Sequence, residues 1–293
     1  MKTKISLIVA STLALTLIGG CSLVEKGNKE SNLDSDNINV VSREDGSGTR
    51  GAFIEIVGVL EKDAQGNETD NTYEESIIQN GTDAIMTTVA GDKNSIGYIS
   101  LGSLNDTVKP LKIEDIEATS ENVQNGTYKI SRPFNIAYKE GLTPIANDFL
   151  DFIVSSEGQS IVVEEGYVAI SSDSKEYQGT SQEGKIVIAG STSVSPVMEK
   201  LAENYEQRHS KVSIEIQSTG SSAGMQSAIE GSADIGMASR PLKESEEKIL
   251  AHIPIAIDGI ALIVNNENQI ESITLDQVKS IYIGELLKWN EIK

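Results

Sequence analysis

The sequence predicts an α/β fold with mixed, largely parallel sheets, and three observations carry that expectation. Short runs of β-branched residues recur at 38–41, 95–99, 186–189, 212–216 and 260–264. Patterns with helical periodicity lie between and after them, and strands alternating with helices of about 10 to 15 residues favour parallel pairing through crossover connections. In three places a strand-like run ends in a loop of Gly, Ser and Thr that opens a helix. The helical patterns cover 51–61, 144–154, 158–164, 196–208, 223–230, 244–251 and 275–281. Pro144 and Pro196 suit a first helical turn, where a missing N–H costs nothing. No self-similarity at a period of about 20 to 50 residues is evident, which argues against a solenoid or propeller.

Charge then narrows the function. The chain of 293 residues carries 24 Lys plus Arg against 44 Asp plus Glu, a formal charge of −20. Phosphate backbones are held by clustered Lys and Arg. With no basic run anywhere, nucleic acid is not expected as a partner, and anionic membrane surfaces are disfavoured for the same reason. The length suits two domains of modest size.

The amino terminus stands apart. Lys2 and Lys4 precede an apolar stretch, 5–20, that is short for a bilayer span and ends in small residues, so 1–20 reads as an export signal. Cys21 follows at once and is the single cysteine, which excludes an intramolecular disulfide. Leu17-Ile18-Gly19-Gly20-Cys21 resembles the lipobox of bacterial lipoproteins, which implies cleavage before Cys21 and lipidation of its thiol. Removal of Lys2 and Lys4 reduces the 24 basic residues to 22 against 44 acidic, a charge of −22. Residues 21–37 have the composition of a solvated tether, and a second polar tract at 171–185 reads as a linker.

The three loops share one design. Arg43-Glu44-Asp45-Gly46-Ser47-Gly48-Thr49 follows the first strand-like run, Gly190-Ser191-Thr192-Ser193 the third, and Thr219-Gly220-Ser221-Ser222 the fourth. Each places backbone N–H groups and hydroxyl donors at a positive helix N-terminus, which suits an oxyanion. Any one such loop also serves as an ordinary turn and N-cap. Three of them, one with an arginine, favour a shared anion. Other matches are weaker. Gly220 to Gly224 fits G-x-S-x-G around Ser222, but the only later histidine is His252. Gly179 to Lys185 resembles the start of a phosphate loop but has Ile186 where Ser or Thr belongs. His209 and His252, with no cysteine cluster, do not make a metal site.

Taken together, Ser42 to Arg50, Gly190 to Pro196, Thr219 to Gly224, Asp234 to Arg240, Glu165 to Val168 and Trp289 to Ile292 resemble segments of the phosphate-binding proteins of high-affinity phosphate ABC importers. The resemblance covers nearly everything from Asn39 onward and implies a two-lobe, periplasmic-binding-protein-like (type II) fold with the ligand cleft between lobes. Carried over residue by residue, it implies that inorganic phosphate is held by Arg43, Ser47, Gly48, Thr49, Thr192, Ser193 and Ser221, with Asp45 supporting the Arg43 guanidinium. Ser239 stands where some members have a proton-accepting Asp. The segment order is that of a circular permutation relative to the usual family order. One lobe would be continuous, 132–254 with the linker inside it, and the other split into 39–131 and 255–293.

The resemblance further implies an extracytoplasmic lipoprotein on the outer face of the cell membrane that hands phosphate to the permease subunits of an ABC transporter. It would be a monomer, with no cofactor, no metal and no catalysis. Alternatives are a binding protein for another oxyanion such as sulfate or molybdate, a secreted phosphatase or other hydrolase using Ser222, and a surface phosphate sensor or adhesin.

Overall fold

The computed structural model describes residues 36–63, 65–179 and 182–292, so the expected export signal and Cys21 lie outside the described residues. The chain runs β1 (Asn39–Arg43), α1 (Gly48–Ile56), a hairpin of β2 (Leu60–Lys62) and β3 (Glu68–Asp70), β4 (Ile77–Gln79), α2 (Thr82–Gly91), β5 (Ser95–Ser100), β6 (Lys109–Pro110), β7 (Lys112–Ile113), α3 (Ser120–Gln124) and β8 (Ser131–Tyr138). It continues with α4 (Pro144–Val154), α5 (Ser156–Glu164), β9 (Gly184–Gly190), α6 (Ser195–Arg208), β10 (Val212–Ser218), α7 (Ser221–Glu230), β11 (Ile235–Ala238), α8 (Glu244–Glu247), β12 (Ala251–Val264), β13 (Ser272–Ile273) and α9 (Leu275–Tyr282).

A nine-stranded mixed sheet orders these strands β10-β9-β11-β8-β12-β5-β1-β4, with β6 also on β12. Its flanks are parallel: β10, β9 and β11 on one side, β5, β1 and β4 on the other. The centre is antiparallel, because β12 pairs with both β8 and β5 and β8 pairs with β11. The 14-residue β12 therefore ties the two flanks together. Its register with β8 shifts between Pro254 and Ala256, where proline cannot donate to the ladder.

Local chemistry explains the helix ends. Pro144 opens α4 behind Thr143, whose hydroxyl accepts from Ala146 N, and Ile145, Phe149, Leu150 and Ile153 fall on the buried stripe. Thr274 and Gln277 form a reciprocal capping box on α9. Helix α7 stops at Gly231, in the left-handed conformation at φ 77°. The expected helix at 51–61 instead starts at Gly48, because Ser47 caps it by accepting from Arg50 N, and ends at Ile56. The helix expected to reach residue 251 ends at Glu247, because Ala251 already begins β12.

Two large cores result. One joins residues between Ile38 and Ile130 to residues between Ile260 and Trp289, together with Val168, around the packed rings of Phe53, Tyr98 and Tyr282. The other is built from residues between Phe134 and Ala256, around Phe149, Phe152 and Tyr205. The described parts of the polar tracts are more structured than their composition suggests. Asn37 bridges Lys288, and Gly184 and Lys185 pair with Val212 and Ser213 as the start of β9. Within the remaining tract Tyr177 packs edge-on against Phe152 and bonds Asp148 and His209. Among the described residues no helix is long and apolar enough to cross a membrane.

Candidate anion-binding site

The carboxyl ends of β1, β9, β10 and β11 lead into the loops singled out in the sequence, and the parallel flanks bring those loops to one place, as open α/β sheets do with their ligand sites. Gly220, at φ 91°, is the N-cap of α7 and offers no side-chain cap, and Gly81, at φ 86°, does the same for α2. Their first N–H groups are left for another acceptor. Gly190, at φ 147°, brings the β9 loop so close to β11 that a Cβ there would lie 2.2 Å from Met237 O. Its own carbonyl accepts from Thr219 N at 2.9 Å and Gly220 N at 2.8 Å, which locks two loops together.

The expected residues converge. Arg43 Nη2 donates to Thr192 Oγ1 at 3.0 Å, and the hydroxyls of Thr49 and Ser193 lie 2.8 Å apart. Ser221 Oγ accepts from Ser239 N at 3.2 Å, and Ser239 Oγ accepts from Ser191 Oγ at 2.9 Å. Gly48 sits so close to this pair that an added Cβ would be 2.3 Å from Ser221 Oγ and 2.7 Å from Ser239 Oγ. Ser222 N donates to Gly46 O at 3.1 Å, so the loop after β1 touches the loop after β10 through the backbone as well. Arg43, Ser47, Gly48, Thr49, Ser193, Ser221 and Ser239 are all buried, and Thr192 is half-buried.

Asp45 does not hold Arg43. Its side chain is 98% exposed and pairs with Arg50, which also reaches Asp70. The guanidinium is held by Glu44 instead: Nε donates to Oε2 at 2.7 Å and Nη2 to Oε1 at 2.8 Å. The turn that Gly46 makes after β1 explains the exchange, since it points Asp45 outward and leaves Glu44 facing Arg43. Burial pushes the Glu44 carboxyl up, but the hydrogen bond and charge of Arg43, with Gly81 N, hold it below the usual range, so it stays ionised. Arg43 Nη1 is buried without a partner in the protein.

Two contributors went unread in the sequence, Glu44 and Thr82. The Thr82 hydroxyl lies 3.4 Å from Ser193 Oγ, at the N-terminus of α2. Gln79-Asn80-Gly81-Thr82 repeats the strand, glycine, hydroxyl order of the other loops and would have been the signal. A cavity of about 290 Å³, lined by Asn80, Gly81, Thr82, Thr192, Ser195 and Ser218 among others, opens beside these residues. Among the described residues the arrangement offers the Arg43 cation, helix N-termini and a set of hydroxyls, with no base aimed at a nucleophile. His252 is exposed at the start of β12, and His209 is engaged by Tyr177 and packs at a tilt against the Tyr205 ring.

Fold and site together define a solute-binding protein that grips a small oxyanion, and residues 28–157 and 175–292 match the PBP superfamily domain. The chain is 46% identical over 288 residues to phosphate-binding protein PstS 2 of Streptococcus agalactiae, covering 98% of this chain and 96% of the relative. It is 43% identical over 285 residues to phosphate-binding protein PstS 2 of Streptococcus pneumoniae, covering 96% and 98%. A crystal structure of the phosphate-binding protein of a phosphate ABC transporter from Streptococcus pneumoniae superposes with a TM-score of 0.70 at 44% identity, covering 88% of this chain and all of that one. The chain belongs to the PstS family of phosphate-binding proteins.

Proposed function

We propose that this protein captures inorganic phosphate for an ABC importer and holds it with Arg43, Ser47, Gly48, Thr49, Thr192, Ser193, Ser221 and Ser239. The observation that carries the reading is Arg43 itself: a buried guanidinium with Nη1 unpartnered and Nη2 bonded to the Thr192 hydroxyl of the facing loop. A buried charged donor without a partner is costly, and a tetrahedral oxyanion satisfies it with a charge-assisted bond. Calorimetry with phosphate, sulfate and molybdate tests the assignment. Tight binding of phosphate alone supports it, and preference for either other anion overturns it.

The two cores support a division into lobes at 39–131 plus 255–293 and at 132–254, with the ligand between them. Relatives aligned nearly end to end share this order of segments. Release to permease subunits then follows from opening of the lobes around β8 and β12.

Selectivity rests on protons. Phosphate near neutral pH keeps at least one proton and sulfate keeps none, so a carboxylate facing the ligand accepts from the first and repels the second. Ser239 Oγ already accepts from Ser191, so it serves as a donor and repels neither anion. Ser239→Asp is expected to widen the preference for phosphate over sulfate, chiefly by penalising sulfate. Competition titrations on both forms check this, and an unchanged ratio places the discrimination elsewhere.

The protein is extracytoplasmic in this reading, a monomer anchored through lipid on Cys21. Cys21→Ser is expected to release it into the medium with phosphate binding intact. Equal membrane retention of variant and wild type would contradict the anchor.

A further inference from the structure

The four strands at the centre of the sheet, β1-β5-β12-β8, carry a line of polar side chains through the interior: Arg43, Ser100, Asp258 and Arg132. Asp258 and Arg132 face each other across the β12/β8 ladder, and Ser100 ends β5 beside them. Arg132 Nη2 donates to Asp258 Oδ2 at 3.0 Å, and Ser100 Oγ donates to Oδ1 at 2.9 Å. Both charged side chains are sealed from solvent, at 1% and 0% exposure. Arg132 Nε and Nη1 have no partner, and its guanidinium lies 5.5 Å from the Phe134 ring centre. Burial lowers the Arg132 guanidinium below its usual value, the charge and hydrogen bond of Asp258 oppose that, and the Arg43 charge adds to the lowering. The other groups facing Asp258 are the hydroxyls of Tyr167 and Tyr128 and the backbone N–H of Gly102.

Charge counting gives this line a role. Arg43 with Glu44, and Arg132 with Asp258, are two neutral pairs, so an anion entering the closed site meets no net positive charge. Burying an uncompensated anion is costly. We propose, on the reading that phosphate binds at Arg43, that Asp258 takes up a proton as phosphate binds, so that Arg132 becomes a second positive charge for the anion. The proton comes from solvent and attaches to Oδ1. The Ser100 hydroxyl turns from donor to acceptor, while Oδ2 keeps its bond from Arg132. Burial has already pushed Asp258 up to about 6, and a neighbouring anion pushes it further in the same direction. Arg132 and Asp258 are thus positioning residues, acting on the ligand's charge without touching it.

The test is the phosphate affinity of Asp258→Asn relative to wild type, measured on the full chain at a series of pH values. The ratio cancels phosphate's own titration. At an effective dielectric of about 20, a unit charge on the order of 10 Å from an anion changes its binding about tenfold. Asp258→Asn is therefore expected to bind phosphate about tenfold tighter than wild type near pH 8 and to converge with it near pH 5, where Asp258 is already neutral. A ratio that does not vary with pH overturns the inference, whereas wild type that fails to bind phosphate at all overturns the functional reading instead. Infrared difference spectra of wild type with and without phosphate give a second measurement. A protonated carboxyl band should appear on binding in wild type and be missing in Asp258→Asn. Its absence from wild type, or its persistence in Asp258→Asn, overturns the role of Asp258.

Discussion

Arg43→Ala is expected to weaken phosphate binding by about 2 to 5 kcal/mol, the cost of truncating one partner of a desolvated charge contact. That is between about 30-fold and a few thousand-fold in affinity. The side chain is 1% exposed, so no solvent screens its charge from the ligand. The substitution also changes the sign of the site. Glu44 loses both guanidinium bonds and keeps backbone contacts such as that from Gly81 N at 3.3 Å, which leaves a carboxylate among the hydroxyls meant for an anion. Arg43→Lys should recover part of the loss, because it restores the charge without the planar fork that serves Glu44, Thr192 and a ligand at once. Phosphate titration of both variants measures the effect. A loss below a few tenths of a kcal/mol for Arg43→Ala would remove Arg43 from the site.

The same arginine shows how far the sequence could be read. Loops rich in Gly, Ser and Thr after β-branched runs are legible because the residue types themselves set the backbone chemistry, and those loops did meet in space. Side-chain partnership at Arg43 was not legible. Glu44 and Asp45 are adjacent and chemically alike, and only the turn at Gly46, with φ 86°, decides which one faces inward. Helix α2 escaped notice because Thr82-Asp83-Ala84-Ile85-Met86-Thr87-Thr88 carries a weak apolar stripe, with only Ile85 and Val89 among its apolar residues fully buried. With it went Thr82. Arg132 and Asp258 are 126 residues apart, and it is the antiparallel ladder of β8 on β12 that joins them. Linear spacing holds no trace of such a pair. The expectation of largely parallel pairing held at the flanks and not through the centre, where β12 pairs antiparallel with β5 and β8, strands so distant in the chain that local patterns of strand and helix do not reveal their direction.

Gly48→Ala should separate the site from the fold. Gly48 opens α1 at an ordinary helical position, where alanine is the better helix former, so the substitution by itself favours the helix by up to about 1 kcal/mol. The obstacle is what faces it. A Cβ would stand 2.3 Å from Ser221 Oγ, 3.0 Å from Ser221 Cβ and 2.7 Å from Ser239 Oγ. Neither hydroxyl can turn aside freely, since Ser221 Oγ accepts from Ser239 N and Ser239 Oγ accepts from Ser191. Relief must come from moving the α1 loop away from the α7 and β11 loops, and that movement withdraws Ser47 and Thr49 from the hydroxyls opposite them. Phosphate affinity is therefore expected to fall by at least about 1.4 kcal/mol, or tenfold, while the melting temperature of the phosphate-free protein stays equal or rises slightly. Calorimetry and thermal unfolding on the same preparation check both halves of the expectation. Affinity within about twofold of wild type would mean that the close approach of these loops is not part of how the anion is held. A lowered melting temperature would mean that the contact serves the fold rather than the ligand.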